Sequence, residues 1–508
     1  MSVAGNEAEN RPSPAFFRFM LGFLLVYTSW AWAGLRPSFH WVGVAAAGVL
    51  AGGLVFGKPS PGGRPARTDP VLYLGLAFLG LLLLQWFNAG RERYFDVGFQ
   101  RWMYTDPPRP GWPSAFSRAD ALQMLAWFFP AWTIVWTIRA RISNRRELRG
   151  LLMLIAVNAG LLALFGLAQF ASGTREIYWM HPLQGHFFAS FAYGNHAAPF
   201  FVLTGALAAG LLYREVFDAR RFHAGSPSAF RLRHPGRIAA LVPTLLLCLA
   251  GANLGLSRAG VILAWTLGVF IAGYGAVLGW RLLPPAGRVN FLALALAVAG
   301  SLYFAVAGWG ARGIRNEFTL KTAPPDSVHS VRDRVELELG GRPRFARAAL
   351  EIWREHPWFG VGGWGYKYLV AEHVPESFWD LLEKRGWANV HFDLLQFLAE
   401  FGAVGSALLL GALGLMLIEV FRACERLAAL GKVSLAGLAL VGVFSAIDLP
   451  FRCPAILYTW LAILAALPGT CTGRHVRRTA HAAAANSARG PAANAFATGM
   501  PCPERTGP

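Results

Sequence analysis

Charged side chains are scarce in this sequence: they make up 15% of its 508 residues, where a soluble globular domain carries about a quarter. That shortage excludes an ordinary soluble fold. Acidic residues are scarcer still, 28 against 47 Lys and Arg, which leaves a formal charge of +19. In a soluble chain this excess would suggest nucleic acid, but here it sorts by loop, so no nucleic-acid domain is expected. Cysteine is rare too, and Cys248, Cys424, Cys453, Cys471 and Cys502 form no C-x-x-C pair. Neither a disulfide framework nor a zinc site is indicated. Ionisable residues are almost missing from the middle of the apolar runs, where a proton-coupled transporter would place a pair. Glu400 is the nearest thing to one, and no internal repeat is visible, so transport is disfavoured.

What the sequence has in quantity is apolar length. Hydrophobic residues make up 55% of the chain, with 37 Phe and 19 Trp. Crossing a hydrocarbon core takes about 20 apolar residues, and twelve runs qualify: 16–35, 40–57, 70–88, 119–139, 150–170, 192–213, 237–256, 259–279, 290–309, 391–421, 433–447 and 455–470. The second, eleventh and twelfth are short or flanked by Gly and Pro. With the N-terminus inside, the inner segments hold 26 of the Lys and Arg, the short and medium outer segments 9, and one long outer segment, 310–390, the other 12. Long segments are poor guides to orientation, so the positive-inside rule gives N-in and C-in. The expected fold is an all-α integral membrane protein of about twelve transmembrane helices, with one large outer loop between the ninth and tenth. Its divisions are nine helices over 1–309, the loop with an amphipathic helix over 310–390, three helices over 391–470 and a disordered inner tail over 471–508. The first run follows Arg11 and Arg18 and reads as a signal-anchor, with a cleavable signal peptide as the alternative.

Polar residues collect at the outer ends of the runs, and a polar side chain at membrane depth usually has a purpose. Asn195 and His196 open the sixth run. Asn253, Ser257 and Arg258 form the turn between the seventh and eighth; His391 and Asp393 open the tenth; Asp448 and Arg452 lie in "DLPFRCP" between the last two. His391 reads either as a general base or as an interfacial histidine at a helix start. Asp393, Gln396 and Glu400 share a helix stripe that points away from His391, unless His391 belongs to the preceding loop. Arg258 either snorkels to headgroups or holds a phosphate with its planar fork. Within the long segment, 343–355 places Phe345, Ala349, Ile352 and Trp353 on one face, as in a helix lying on a surface.

Gly360 to Gly365, in "HPWFGVGGWGYKYL", has the G-x-G-x-x-G spacing of a dinucleotide loop. It lacks the preceding hydrophobic strand and does not continue as G-K-[ST]. A tight turn between the amphipathic helix and the segment leading to His391 is expected instead, with amides free to touch a lipid-borne phosphate.

Four stretches together, "FAYGNHAAPFFVL", "LGLSRAGVIL", "RFARAALEIWREHPWFGVGGWGYKYL" and "HFDLLQFLAEFGAVG", resemble the O-antigen ligase and polymerase superfamily over about residues 190–406. The resemblance implies a glycosyltransferase of the bacterial inner membrane, facing the periplasm. It would move a glycan from an undecaprenyl-diphosphate carrier to an acceptor hydroxyl, on the lipid A core for a ligase or on a growing glycan for a polymerase. No cofactor, metal, nucleotide or nucleic acid is implied; membrane lipids are the other partners. The family's His-Asn-x-x-Leu signature appears as His391-Phe392-Asp393-Leu394-Leu395, with Phe392 in place of the asparagine. His391 thereby becomes the catalytic base, Arg258, Arg334 and Arg452 the donor-diphosphate ligands, and Asn195, Asp393 and Asp448 supporting groups. With one base and no carboxylate nucleophile beside it, a single inverting displacement is expected. A polysaccharide or lipid transporter and a non-catalytic scaffold remain as alternatives.

Overall fold

The computed structural model describes residues 13–57, 68–98, 100–142, 144–183, 185–218, 234–282, 288–289, 300, 342–375, 379, 389–423 and 427–470. The described residues form α1 (Pro14–Trp30), α2 (Pro37–Phe56), α3 (Pro70–Phe87), α4 (Arg118–Arg141), α5 (Arg145–Ala171), α6 (Gly194–Asp218), α7 (Pro235–Leu254), α8 (Arg258–Leu282), α9 (Arg342–Glu355), α10 (Asp393–Ala423), α11 (Ala429–Phe444) and α12 (Pro454–Ala466). Eight of these, α2 to α8 and α10, are long and apolar enough to cross a membrane; α11 and α12 are shorter apolar helices. The ninth run, apart from Gly300, and the expected tail over 471–508 lie outside the described residues, as do the loop residues 310–341.

Local chemistry sets where the helices start. Ser13, Asp69, Ser117 and Asn144 cap α1, α3, α4 and α5 with side-chain oxygens on first-turn amides. Proline occupies the first turn of α1, α2, α3, α7 and α12, where its missing N–H costs nothing. Packing then depends on small residues, because lipid supplies no hydrophobic drive between helices. Gly437 of α11 lies so close to α6 that an added Cβ would be 2.5 Å from Ala206 Cβ.

Two charged clusters lie at opposite ends of α10. Near its last turns, buried Arg139 of α4 bridges Asp69 at the cap of α3 (2.6 and 2.8 Å) and Glu419 of α10 (both bonds 3.0 Å). Asp69 caps α3, Arg139 is in the last turn of α4 and Glu419 is near the end of α10, so the triad lies at helix ends and leaves the expected apolar middles of these runs intact.

α10 is also broken. Gly402 has φ 63° and ψ −169°, which interrupts the helical hydrogen bonds inside an apolar run. The glycine-rich loop repairs the gap with its own backbone. Val361 and Gly362 donate to the carbonyls of Ala399 and Glu400 (3.0 and 2.8 Å), and Ala403 and Val404 donate to those of Pro357 and Trp358 (2.8 and 3.0 Å). So close an approach requires glycine on both sides: a Cβ on Gly360 would sit 2.4 Å from Glu400 C, and one on Gly402 2.4 Å from Trp358 C. The loop is therefore a splice into α10 rather than a free turn, and its amides at 361 and 362 are already committed.

α9 is the expected amphipathic helix, with Phe345, Ala348, Ala349 and Ile352 buried. Its apolar face packs on protein, against Val361, Tyr366, Val370, Val390 and Ala399, and not on a lipid surface. This second core fixes the loop, and hence His391, to the membrane bundle.

Candidate active site

The first turn of α6, the α11–α12 connection, the start of α9 and the segment before α10 meet at one point. Asp448, 2% exposed, is at its centre. Its Oδ1 faces His391 Nδ1 at 3.2 Å and accepts the Leu449 amide at 2.9 Å. Its Oδ2 accepts from Asn195 Nδ2 at 2.6 Å and lies 3.8 Å from the Arg342 guanidinium, which also donates to Ile447 O at 2.8 Å. Burial alone would raise the carboxyl pKa. The hydrogen bond from His391 and the nearby Arg342 guanidinium outweigh burial and hold it below the ordinary carboxylate value.

An ionised carboxylate only accepts hydrogen bonds, so the proton between Asp448 and His391 resides on Nδ1. In the neutral imidazole this tautomer places the lone pair on Nε2, where it can take a proton from another group. The His391 side chain is 18% exposed, so a hydroxyl can reach it. This is the orienting arrangement of a carboxylate–histidine pair.

His391 is held by its backbone as well. It lies before α10, in the left-handed region at φ 57°, a conformation that costs a non-glycine residue free energy unless its surroundings enforce it. Gln396, one turn into α10 and 1% exposed, supplies the enforcement. Its Oε1 accepts the Val390 amide at 3.0 Å, and its Nε2 donates to Asn389 Oδ1 (3.3 Å) and Glu400 Oε1 (2.9 Å). The condition under which one site includes both His391 and the Asp393 stripe, that His391 belong to the preceding loop, is thus met.

Beneath this layer, Asp393 Oδ2 accepts the Phe451 amide at 3.1 Å, and Asp393 N donates to Ser445 O at 2.9 Å. Glu400 pairs with Arg452, whose guanidinium lies 4.8 Å from the Trp364 ring centroid and 5.4 Å from that of Phe397. Arg452 is 4% exposed and forms part of the floor. Arg258 begins α8, whose first turn packs on that of α6, with an ideal Cβ on Gly260 2.3 Å from Ala198 Cβ. Its element therefore adjoins that of Asn195. Arg334 lies outside the described residues.

Phe392 packs against the core cluster around α9, so the residue that departs from the family signature is accommodated by apolar contact. The sequence reading did not single out Arg342. Its position at the first residue of an amphipathic helix was the available signal.

Folded this way, the chain is a multi-pass α-helical membrane protein with a polar, histidine-centred site at one end of its bundle. Residues 243–410 match the family model described as O-antigen ligase. The match runs from α7 into α10 and includes Arg258, Arg342, His391 and Gln396, so over this segment the resemblance to that superfamily holds. It supports an O-antigen ligase- or polymerase-like membrane glycosyltransferase in general. No curated protein matches the chain.

Proposed function

We propose that this protein is an O-antigen ligase-type enzyme of the bacterial inner membrane, transferring a glycan from an undecaprenyl-diphosphate carrier to an acceptor hydroxyl at the periplasmic face. The observation that carries the proposal is the His391–Asp448 pair, in which Asp448 orients the imidazole and leaves Nε2 as the base. The acceptor O–H gives its proton to Nε2 as its oxygen attacks the anomeric carbon. The bond from that carbon to the diphosphate oxygen breaks on the opposite side, with inversion, and undecaprenyl diphosphate leaves with the electron pair. General-base help of this kind is worth about 10²–10⁴-fold.

Negative charge grows on the diphosphate as it departs, and fixed arginines at headgroup depth favour that departure. Arg258 and Arg334 are assigned this role. Arg452, committed to Glu400, supports the floor by its charge. Asn195 and Asp393 hold Asp448 and the α11–α12 connection in place.

Lipopolysaccharide from a deletion strain tests the assignment. Core without any long chains is the result expected of a ligase, whereas core capped by a single repeat identifies a polymerase. Unchanged banding contradicts both.

A further inference from the structure

At the end of the bundle opposite His391, arginines from three helices gather. Arg145 and Arg149 lie in the first turns of α5, Arg214 near the end of α6 and Arg237 in the first turn of α7. These helices are held side by side. An ideal Cβ on Gly160 of α5 would be 2.8 Å from Thr244 Oγ1 of α7, and Arg237 pairs with Glu215 of α6 at 3.3 Å. Arg149 is anchored to its own helix through Nε, which donates to Arg145 O at 3.0 Å. Arg145, Arg214 and Arg237 lie near enough for their charges to act on Arg149, and Glu215 is the one carboxylate whose charge does so. Glu147 of α5 is bound instead by Arg18 of α1 at 3.2 Å. A positive-inside bias accounts for an excess of arginine on one side of a membrane, which scattered residues would satisfy equally well. It does not account for drawing like charges together, where they repel.

The surface beside these arginines is open and continues into an apolar stripe. Gly150 and Gly236, next to Arg149 and Arg237, are exposed, and nothing lies within 4 Å of a Cβ built on either. Further along α5, Leu154, Leu161 and Leu164 share one face and are 40%, 55% and 53% exposed. A cationic end above an exposed apolar stripe matches a molecule with an anionic head and apolar tails; a soluble anion would use the first part alone. We propose that Arg145, Arg149 and Arg237 bind the phosphate of an anionic phospholipid in the leaflet opposite the histidine site, with its acyl chains along the α5 leucines. Guanidinium forks suit phosphate oxygens, because each presents paired N–H donors. Basic pockets between membrane helices attract such headgroups. Arg214 adds its charge to the same field, and the lipid ties α5 to α7. The inference does not depend on the activity proposed above.

The test uses the full-length protein, stripped of lipid in an uncharged maltoside detergent, with thermal unfolding followed as phosphatidylglycerol, phosphatidylcholine or inorganic phosphate is added. Phosphatidylglycerol is expected to raise the wild-type Tm by about 2 °C or more, because it binds the folded chain and not the unfolded one. Phosphatidylcholine and inorganic phosphate should leave Tm unchanged. Arg145→Gln combined with Arg149→Gln should lose the shift, whereas Arg422→Gln, at an exposed arginine on the same side at the end of α10, should keep it. Native mass spectrometry of wild type, which needs no variant, should show phosphatidylglycerol retained in preference to phosphatidylcholine at equal concentration. An equal shift from phosphatidylcholine, a shift that persists undiminished in the double variant, or equal retention of the two lipids overturns the proposal. A shift reproduced by inorganic phosphate assigns the arginines to a soluble anion and overturns the lipid occupant.

Discussion

Gln396 Oε1 accepts the backbone N–H of Val390 at 3.0 Å, and through that one bond a buried side chain inside the bundle holds the residue next to His391. Gln396→Met keeps the volume and removes every hydrogen bond. Leaving a buried amide unsatisfied costs about 1–3 kcal/mol, enough to release the left-handed turn. We expect kcat to fall about 10- to 100-fold with KM for the donor little changed, because the base is misplaced while the diphosphate site is intact. Gln396→Glu retains an acceptor for Val390 and should recover part of the loss. Equal kcat in wild type and Gln396→Met argues against the positioning role.

Asp448→Asn separates geometry from charge. An amide can present its NH₂ to Nδ1, which would move the proton to Nε2 and abolish the base, so a loss of about 10²–10⁴-fold in kcat is expected. The pH dependence of stability follows from the lowered pKa of Asp448. A carboxyl whose folded pKa lies below its unfolded value contributes stability that is fully present above the unfolded pKa and is lost as pH falls through the folded one. Wild type should therefore keep this contribution from neutrality down through the ordinary carboxylate range and lose it only below. Acid titration of thermal unfolding in detergent checks this, and Asp448→Asn should lack that component.

The splice between the glycine loop and α10 makes a stability prediction. Gly402→Ala places a methyl against the Trp358 carbonyl carbon in a left-handed conformation, and Gly360→Ala does the same against Glu400. Each is expected to cost about 1–3 kcal/mol from backbone strain alone, seen as a lowered Tm. Gly414→Ala, at a position in the same helix with open space around its Cβ direction, should cost nothing or stabilise slightly.

Much of this was legible in the sequence, and the misses share a physical cause. Among the described residues, eleven of the expected apolar runs fall on helices, and eight of these helices are long and apolar enough to cross a bilayer. The convergence of Asn195, His391 and Asp448 was readable from which helix end each occupies. What could not be read was pairing across distance. Arg139, Asp69 and Glu419 look like charges flanking three separate runs until α3, α4 and α10 are side by side. Gly402 sits in "AEFGAVG", which scans as uninterrupted helix, and the loop that completes it lies about forty residues earlier. The role of the glycine motif follows from its partner, not from its spacing.

The triad gives a control far from the chemistry. Arg139→Met leaves Asp69 and Glu419 facing each other without a cation, and breaking a buried pair in this way costs about 3–5 kcal/mol. We expect poor folding yield, with kcat per folded molecule close to wild type. The double change Arg139→Met with Asp69→Asn, which leaves only the more exposed Glu419 charged, should recover much of the yield.

The most direct measurement of the central claim is single-turnover transfer from an undecaprenyl-diphosphate oligosaccharide by wild type, His391→Ala and Arg258→Ala, with donor binding measured in parallel. If His391 is the base and Arg258 holds the diphosphate, His391→Ala loses transfer by about 10²-fold or more while still binding donor. Arg258→Ala loses transfer together with donor affinity. Full transfer by both variants, or a covalent glycosyl-protein intermediate trapped in any of the three, would contradict the account.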